Sequence, residues 1–113
     1  MSGEYVPDAG DLVLLTAEAN GGGDSSERRA ALVLTARVYN EAARLALVCP
    51  ITRAVKGYPF EVPLPHGLPF EGAVLADHLK SVDWQACGAE YQGRAGTPVL
   101  DLVHGHLRAL LDL

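Results

Sequence analysis

Two short clusters of cationic and hydroxyl side chains are the strongest sign of chemistry in this sequence. Thr52, Arg53 and Lys56 lie together in "ITRAVKGYP", and Arg28 and Arg29 stand immediately before an apolar run. A phosphate is bound by convergent donors and positive charge, and the planar fork of an arginine suits its oxygens. If the two segments are neighbouring strands, both clusters lie at one rim of a sheet. This arrangement predicts a phosphate site.

Two carboxylates precede these arginines, within and just after the glycine-rich segment "NGGGDSS" of residues 20–26. Either Asp24 or Glu27 could act as a general base beside a cationic phosphate site. The same spacing fits a solvated loop whose charges neutralise one another and add little stability. The sequence leaves both interpretations open. Tyr58, beside the basic turn, is either a packing residue or a platform on which an unpaired base stacks.

The four histidines do not predict a metal site. His104 and His106 are two residues apart, so they would not share a face of a helix. His66 and His78 have no partner at a ligand spacing. The sequence also lacks the common nucleotide-binding and serine-hydrolase motifs. We therefore predict neither a metal nor another cofactor.

Charge is distributed unevenly along the 113 residues. The net charge is −5, yet residues 28–56 hold six cations and one carboxylate, a local charge of +5. The acidic total argues against a protein that coats nucleic acid non-specifically. The basic segment predicts that an anionic partner meets one face of the molecule.

The length predicts one domain, residues 1–113, with a single core. No apolar stretch approaches the roughly 20 residues of a membrane span, and the N-terminus does not resemble a signal peptide. The expected compartment is the cytoplasm, with no membrane partner. There Cys49 and Cys87, which form no CxxC motif, are expected to be buried free thiols.

Short apolar runs bounded by Gly, Pro, Asn or Asp predict β-strands. The predicted strands are residues 11–17, 30–36, 45–51, 59–64 and 72–79, and residues 82–94 predict one or two more. A short helix is predicted over 36–45. Thr97 as N-cap and Pro98 at the first helical position predict a longer C-terminal helix. The predicted fold class is α+β, mostly β, a small, partly open barrel with these two helices.

Several blocks of the sequence occur in a familiar order between Tyr5 and about Ala89. They are "YVPDAGDLVLL", "RRAALVLTARVYN", "LALVCPITRAVKGYPFEV", "VLADHLKSVDW" and "CGAE". They resemble the MazF/PemK toxins of bacterial toxin–antitoxin pairs. The resemblance implies an SH3-like barrel that forms a homodimer and cuts single-stranded messenger RNA at specific sequences without a metal. It also implies 2′,3′-cyclic phosphate and 5′-hydroxyl ends, and a cognate MazE-like antitoxin whose acidic, disordered tail covers the RNA groove.

The resemblance assigns roles to residues already singled out. Arg29 and Thr52 match the family's essential arginine and threonine, and Asp24 falls near its acidic loop residue, with Glu27 as the competitor. Arg29 and Thr52 are expected to hold the oxygens of the phosphorane. The resemblance also suggests that Arg29 protonates the leaving 5′ oxygen. Because a guanidinium holds its proton tightly at neutral pH, Arg29 suits charge stabilisation better than proton donation. The expected RNA contacts are Arg28, Arg53, Lys56, Tyr58, Lys80 and Asn40. For Asn40, structural hydrogen bonding is the alternative.

A second interpretation is a non-enzymatic toxin that resembles CcdB, which shares this barrel and inhibits DNA gyrase through its C-terminal residues. The segment "RALLDL" at residues 108–113 could provide such an apolar anchor. The blocks around Arg29 and Thr52 favour the ribonucleases. Truncating the C-terminus would separate the two, since a nuclease site within residues 24–56 should survive it. A third interpretation is a barrel of this kind without toxicity.

Overall fold

The computed structural model describes residues 4–16 and 27–113, and β-strands make up most of its regular structure. The strands are β1 (Asp11–Thr16), β2 (Arg28–Val33), β3 (Ala46–Thr52), β4 (Glu61–Pro63), β5 (Ala73–Leu75), β6 (Lys80–Val82) and β7 (Glu90–Arg94). The helices are α1 (Arg37–Ala43) and α2 (Thr97–Leu111). No helix in the described ranges is long and apolar enough to cross a membrane.

Among the described residues, the seven strands form one sheet in the order β4-β5-β3-β2-β1-β7, with β6 also paired to β3. Every pairing is antiparallel. The terminal strands of this path do not pair with each other, so the barrel stays open. The predicted α+β class, mostly β with a C-terminal helix, is confirmed.

The sheet is apolar on both faces, because alternate residues of its central strands are buried on opposite sides. Leu12, Leu32 and Cys49 lie on one face, where Val103 of α2 packs against them. The opposite face carries Val13, Ala31, Val33, Val48 and Trp84. Both cysteines are buried free thiols, as predicted.

The predicted boundaries differ from the observed ones in two places that matter. The run 72–79 is not one strand: it contains β5 and a 3₁₀ turn at Ala76–His78, and β6 begins only after it, at Lys80. The division lets the chain pair first with Thr52 at one end of β3 and then with Ala46 at the other. The N-cap of α2 is Gly96, so the prediction of Thr97 as N-cap is wrong. Gly96 has a φ of 95°, which glycine adopts easily because it has no β-carbon.

A polar network fixes the N-terminal segment to the sheet. Asp11 is only 2% exposed, and its carboxylate accepts hydrogen bonds from the Tyr5 hydroxyl at 2.5 Å and the Arg94 guanidinium at 2.6 Å. Burial, and then the hydrogen bond to Asp11, raise the pKa of Tyr5. Asp8 accepts a hydrogen bond from the Arg37 amide at the start of α1, and this bond lowers the pKa of Asp8. The network therefore joins the sheet to α1.

Candidate active site

The facing ends of β2 and β3 carry the two residues predicted to hold a phosphate. The ladder between these strands pairs Val33 with Val48 and Ala31 with Pro50. Continued by two residues on each strand, this register sets Arg29 opposite Thr52. Pairing between the two strands stops at Ala31 within the described residues, and grooves lie on either side of the separated ends. Arg29 and Thr52 thus lie at the same end of the paired strands β2 and β3.

One groove, here called the Arg29 groove, has a volume of about 220 Å³. It is lined by Leu15, Arg29, Ala30, Ala31, Pro50, His78 and Lys80. Residues paired directly across neighbouring strands share a face of the sheet. Val48 is paired with both Val33 and Lys80, so Lys80 lies on the same face as Ala31 and, by alternation, Arg29. The sheet therefore brings two cations from distant parts of the chain to one groove.

Arg29 is held only loosely by the protein. Its guanidinium lies 3.3 Å from a carboxylate oxygen of Glu27, and the two side chains are 61% and 69% exposed. An ion pair this exposed contributes little free energy, because water screens it. A phosphate can therefore replace the carboxylate of Glu27 at small cost.

Thr52 presents a hydroxyl that is already oriented. Its Oγ1 accepts a hydrogen bond from the amide of Ala54 at 3.0 Å. The O–H of the same group remains available to donate to a phosphate oxygen. The backbone of Thr52 is fixed from behind by Gly72, where a β-carbon would lie 1.9 Å from the Thr52 carbonyl oxygen.

The loop after β3 displays the other predicted RNA contacts. The Glu61 carboxylate accepts hydrogen bonds from the amides of Lys56 and Gly57, the latter at 2.7 Å, and so holds the loop in its turn. The side chains of Arg53 and Lys56 are exposed, and Tyr58 is 62% exposed. These three side chains are free to meet a ligand.

Arg53 faces a second groove rather than the Arg29 groove. This Phe70 groove, of about 230 Å³, is lined by Ala30, Ile51, Arg53, Leu68, Pro69, Phe70 and Glu71. Ala30 lines both grooves and so lies on the rim where they meet.

Two of the predicted RNA contacts are used inside the protein instead. Asn40 is 0% exposed, and its amide donates to the carbonyls of Pro7 and Thr35, both at 2.8 Å. The guanidinium of Arg28 donates to Thr16, to carbonyl oxygens that include Gly88, and to the Glu90 carboxylate. The prediction of RNA contact is therefore wrong for Asn40. Arg28 joins β2 to β1 and β7 and has little donor capacity left for RNA.

The Arg29 groove contains one residue, His78, that the sequence did not suggest for the site. Another residue that the sequence did suggest, Asp24, cannot be placed in it. His78, in the 3₁₀ turn, lines the Arg29 groove beside Arg29 and Lys80. No spacing signal pointed to it, because Lys80 lies outside the predicted strand 72–79. Asp24 lies outside the described residues, and Glu27 is the described carboxylate beside Arg29.

This chain is similar to known proteins over nearly its whole length. The family described as the PemK-like, MazF-like toxin of type II toxin–antitoxin systems matches residues 8–111. The endoribonuclease toxin MazF of Escherichia coli strain K12 is 37% identical over 111 residues, which cover 98% of this chain and 99% of that protein.

Solved structures are similar over the same extent. A chain in the crystal structure of MazE–MazF (Form-III) from Deinococcus radiodurans is 48% identical, with a TM-score of 0.89 over 96% of this chain and 99% of that chain. An endoribonuclease from a mycobacterial species shares the fold, with a TM-score of 0.77 at 18% identity over 99% of this chain and 97% of that one. From the match over residues 8–111 and the full-length relatives, the chain belongs to the PemK-like, MazF-like toxin family.

Proposed function

We propose that this protein is an endoribonuclease toxin that cuts single-stranded RNA, including messenger RNA, at specific sequences and so stops translation and growth. The single observation that supports it best is the placement of Arg29 and Thr52 at facing strand ends, with Lys80 on the same side of the sheet. Three groups with free or weakly held donors suit a phosphodiester, whose charge rises during cleavage. The relatives named MazF are endoribonucleases, and the chain covers nearly their full length.

The reaction we propose is attack by a ribose 2′-hydroxyl on the adjacent phosphorus. The attack forms a dianionic phosphorane, and its collapse leaves a 2′,3′-cyclic phosphate and a 5′-hydroxyl. The Arg29 guanidinium and the Thr52 hydroxyl donate to the phosphorane oxygens, where fixed donors contribute most to the rate. The 2′ proton passes to a carboxylate beside Arg29. Asp24 and Glu27 remain the candidates, and Glu27 lies 3.3 Å from the guanidinium.

The remaining cations bind the RNA on both sides of the scissile phosphate. Lys80 in the Arg29 groove, with Arg53 and Lys56 on the loop after β3, contacts backbone phosphates. Tyr58, 62% exposed beside them, offers a ring for an unstacked base. We propose that these contacts, on the two sides of Ala30, together form one strand-binding surface.

The same surface explains how the toxin is restrained. Solved MazE–MazF complexes from Deinococcus radiodurans lie among the similar structures. We propose that a cognate MazE-like antitoxin binds this protein and lays an acidic tail over Arg29, Lys80 and the loop cations. Carboxylates there compete with RNA phosphates for the same donors. We further propose one domain over residues 1–113 and a cytoplasmic location, where messenger RNA is translated.

We propose that two copies associate through an apolar groove of about 350 Å³ beside the end of α2. Its lining includes Leu34, Leu47, Leu79, Leu107, Leu111 and Leu113. Leu111 and Leu113 are 54% and 84% exposed in one chain, so pairing removes apolar surface from water. Light scattering should therefore give the mass of two chains. Leu111 and Leu113, which belong to the segment that suggested a gyrase-type anchor, would be covered by the second copy instead.

The test is cleavage of a long single-stranded RNA by the purified protein in excess EDTA, with the ends mapped by primer extension. We expect discrete cuts at one recurrent sequence and no cuts by Arg29→Ala. Arg44→Ala is the matched control, because Arg44 is also an exposed arginine in a loose ion pair, with Glu4 at 3.8 Å, but lies outside both grooves. Intact RNA with folded wild-type protein, or full activity in Arg29→Ala, would contradict the proposal.

A further inference from the structure

The loop after β3 carries three of the proposed RNA contacts, yet packing does not hold it in place. Arg53, Lys56 and Tyr58 all belong to it, and every residue from 53 to 59 is exposed. Even the Tyr58 side chain is 62% exposed. A segment that buries so little is ordinarily mobile. The conformation of this loop must therefore come from hydrogen bonds.

Glu61, the first residue of β4, supplies those hydrogen bonds. Its Oε1 accepts a hydrogen bond from the Gly57 amide at 2.7 Å. The Lys56 amide lies 3.2 Å from the same oxygen and 3.1 Å from Oε2, so both carboxylate oxygens are used. The amide of Glu61 in turn donates to the Tyr58 carbonyl oxygen at 3.1 Å. One residue of the sheet thus holds the loop by its side chain and by its backbone.

The two amides form a small anion-binding nest. Gly57 has a φ of +80°, and successive amides in such a turn point toward one side of the chain. Hydrogen bonds from amides to an ionised carboxylate are stronger than those between neutral groups. The Lys56 ammonium, by contrast, takes part in no ion pair among the described residues. Glu61 therefore fixes the backbone of Lys56 and leaves its charge available to a ligand.

A carboxylate in this position has a cost for RNA binding. It lies beside cations that are proposed to meet phosphates, and its own negative charge repels a phosphate backbone. Attraction of RNA alone would favour a neutral side chain here. The compensating gain is order in the loop, because an RNA that binds a mobile loop must immobilise each side chain that it contacts. A loop already fixed by Glu61 avoids that loss of affinity.

We propose that Glu61 is a positioning residue that sets the affinity for RNA, an inference that rests on the proposed function. Its carboxylate holds the nest of Lys56 and Gly57, so that the Lys56 ammonium and the Tyr58 ring are arranged before RNA arrives. Its repulsion of RNA and its ordering of the loop act in opposite directions, and the ordering is the larger effect. Glu61 takes no part in the chemical step.

The test uses Glu61→Gln, for which charge and positioning predict opposite results. Glutamine keeps the size of the side chain but replaces one oxygen with an NH₂ group, which would face an amide donor of the nest. If charge alone mattered, the variant would bind RNA more tightly than the wild type. We expect it to bind more weakly, with Kd higher by about 10- to 100-fold. The value of kcat at saturating RNA should stay close to that of the wild type, so KM rises and kcat does not.

The probe is a fluorescent single-stranded RNA that contains the mapped cut sequence, with a 2′-deoxynucleotide at the attacking position. It lacks the nucleophile and is bound without being cut, so anisotropy gives Kd. Glu61→Asp keeps the charge but is one methylene too short to reach both amides, and it should also bind weakly. Glu41→Gln is the matched control, because it removes an exposed carboxylate of α1 that lines neither groove. Its Kd should equal that of the wild type.

A double-mutant cycle tests the link to Lys56 directly. Lys56→Ala should weaken RNA binding less in Glu61→Gln than in the wild type, because the released loop no longer places the ammonium. Hydrogen exchange should show faster exchange of the Lys56 and Gly57 amides in Glu61→Gln, with the strands unchanged. Strictly additive losses in the double variant would overturn the inference.

The remaining outcomes separate this inference from the proposed function. A wild type that cuts RNA, with a Glu61→Gln variant that binds as tightly or more tightly, overturns the role of Glu61 and leaves the nuclease standing. A lower kcat at unchanged Kd does the same. A wild type that cuts no RNA removes the proposed function and this inference with it. Circular dichroism checks each fold, and Glu61→Asp carries the test if the glutamine variant does not fold.

Discussion

Gly72 offers the sharpest test of how the fold positions Thr52. Its φ is +121°, in the half of conformational space that side chains disfavour, and it lies directly behind the end of β3. A β-carbon there would be 1.9 Å from the Thr52 carbonyl oxygen and 2.8 Å from the carbonyl carbon. Both are backbone atoms and cannot rotate away. The Gly72→Ala variant can fold only if the strand carrying Thr52 moves.

Two costs combine in that variant. A side chain in the left-handed region costs roughly 1–2 kcal/mol. Relief of the collision by a backbone shift costs a further 1–3 kcal/mol or so. We therefore expect Gly72→Ala to lower the free energy of unfolding by about 2–5 kcal/mol, out of a typical 5–15 kcal/mol for a domain. Because a displacement of about 1 Å can cost about 100-fold in rate, cleavage should fall by a similar factor in the folded variant.

Gly67→Ala is the matched control. Gly67 also has a positive φ, +93°, but a β-carbon there would meet no described atom within 4 Å. This control carries the backbone cost alone, so the difference between the variants isolates the contact with Thr52. Urea unfolding measures stability, and RNA cleavage is measured where both variants are fully folded. Equal stability and equal rates in the two variants would refute the claim that Gly72 positions Thr52.

Three further predictions follow from the same site and its supports. Thr52→Val removes the hydroxyl at nearly constant volume and should slow cleavage by about 100- to 1,000-fold. Thr52→Ser keeps the hydroxyl and should retain most of the rate. Equal rates for the two variants would show that the hydroxyl takes no part in the mechanism. Lys56→Ala should weaken RNA binding and reduce the slope of log K against log salt by about 0.7, measured by fluorescence anisotropy, and an unchanged slope would mean that Lys56 meets no phosphate. Burial, with the hydrogen bond to Asp11, raises the pKa of Tyr5, so the neutral phenol stabilises the fold below the ordinary tyrosine pKa of about 10 and this contribution is lost as the pH rises further. In urea titrations, Tyr5→Phe should therefore lose less stability above about pH 10 than the wild type. Part of the loss that remains should come from the thiol of Cys49, whose pKa burial raises to about 12. If Tyr5→Phe loses as much stability at alkaline pH as the wild type, the assignment to Tyr5 is contradicted.

The strand pattern was sufficient to predict that the two polar clusters share one end of the sheet if their strands are neighbours. "RRAALV" and "LALVCPIT" are short apolar runs, and β2 and β3 do pair with each other. The particular roles of Arg29 and Thr52 came from the family resemblance and stay a prediction.

The roles of Asn40 and Arg28 could not be predicted in the same way. Asn40 donates to the Pro7 carbonyl, 33 residues earlier, and Arg28 donates to the Gly88 carbonyl, 60 residues later. No local pattern shows which distant carbonyl will lie beside a side chain after folding. From the sequence, Asn40 and Arg28 are two polar residues that could meet a ligand. Contacts with distant parts of the chain use their hydrogen-bond donors inside the protein.

His78 shows the opposite failure. A lone histidine has no spacing signal, so its place in the groove becomes visible only when the sheet brings Arg29 beside it. The 3₁₀ turn that interrupts the predicted strand 72–79 carries it to the groove. Sequence patterns report regular structure well and report such interruptions poorly.

The fold also changes what the basic segment means. Of the nine lysines and arginines, five are paired with carboxylates of the described residues: Arg28, Arg29, Arg37, Arg44 and Arg94. Arg37 and Arg44 turn toward Asp8 and Glu4 in the N-terminal segment, so they add nothing to an RNA surface. Lys80, from outside the basic segment, joins the groove instead.

A protein with a net negative charge can therefore bind an anionic strand, because several of its cations lie near the site without a described carboxylate partner. Arg53, Lys56 and Lys80 have no ion-pair partner among the described residues, and each borders the site or its loop. Charges beyond about 8–10 Å are largely screened at physiological salt, so most of the carboxylates do not cancel this local field. Arg29 joins these cations once a phosphate displaces Glu27. The attraction should consequently extend over only a few nucleotides, which suits an enzyme that reads a short single-stranded sequence rather than a protein that coats RNA.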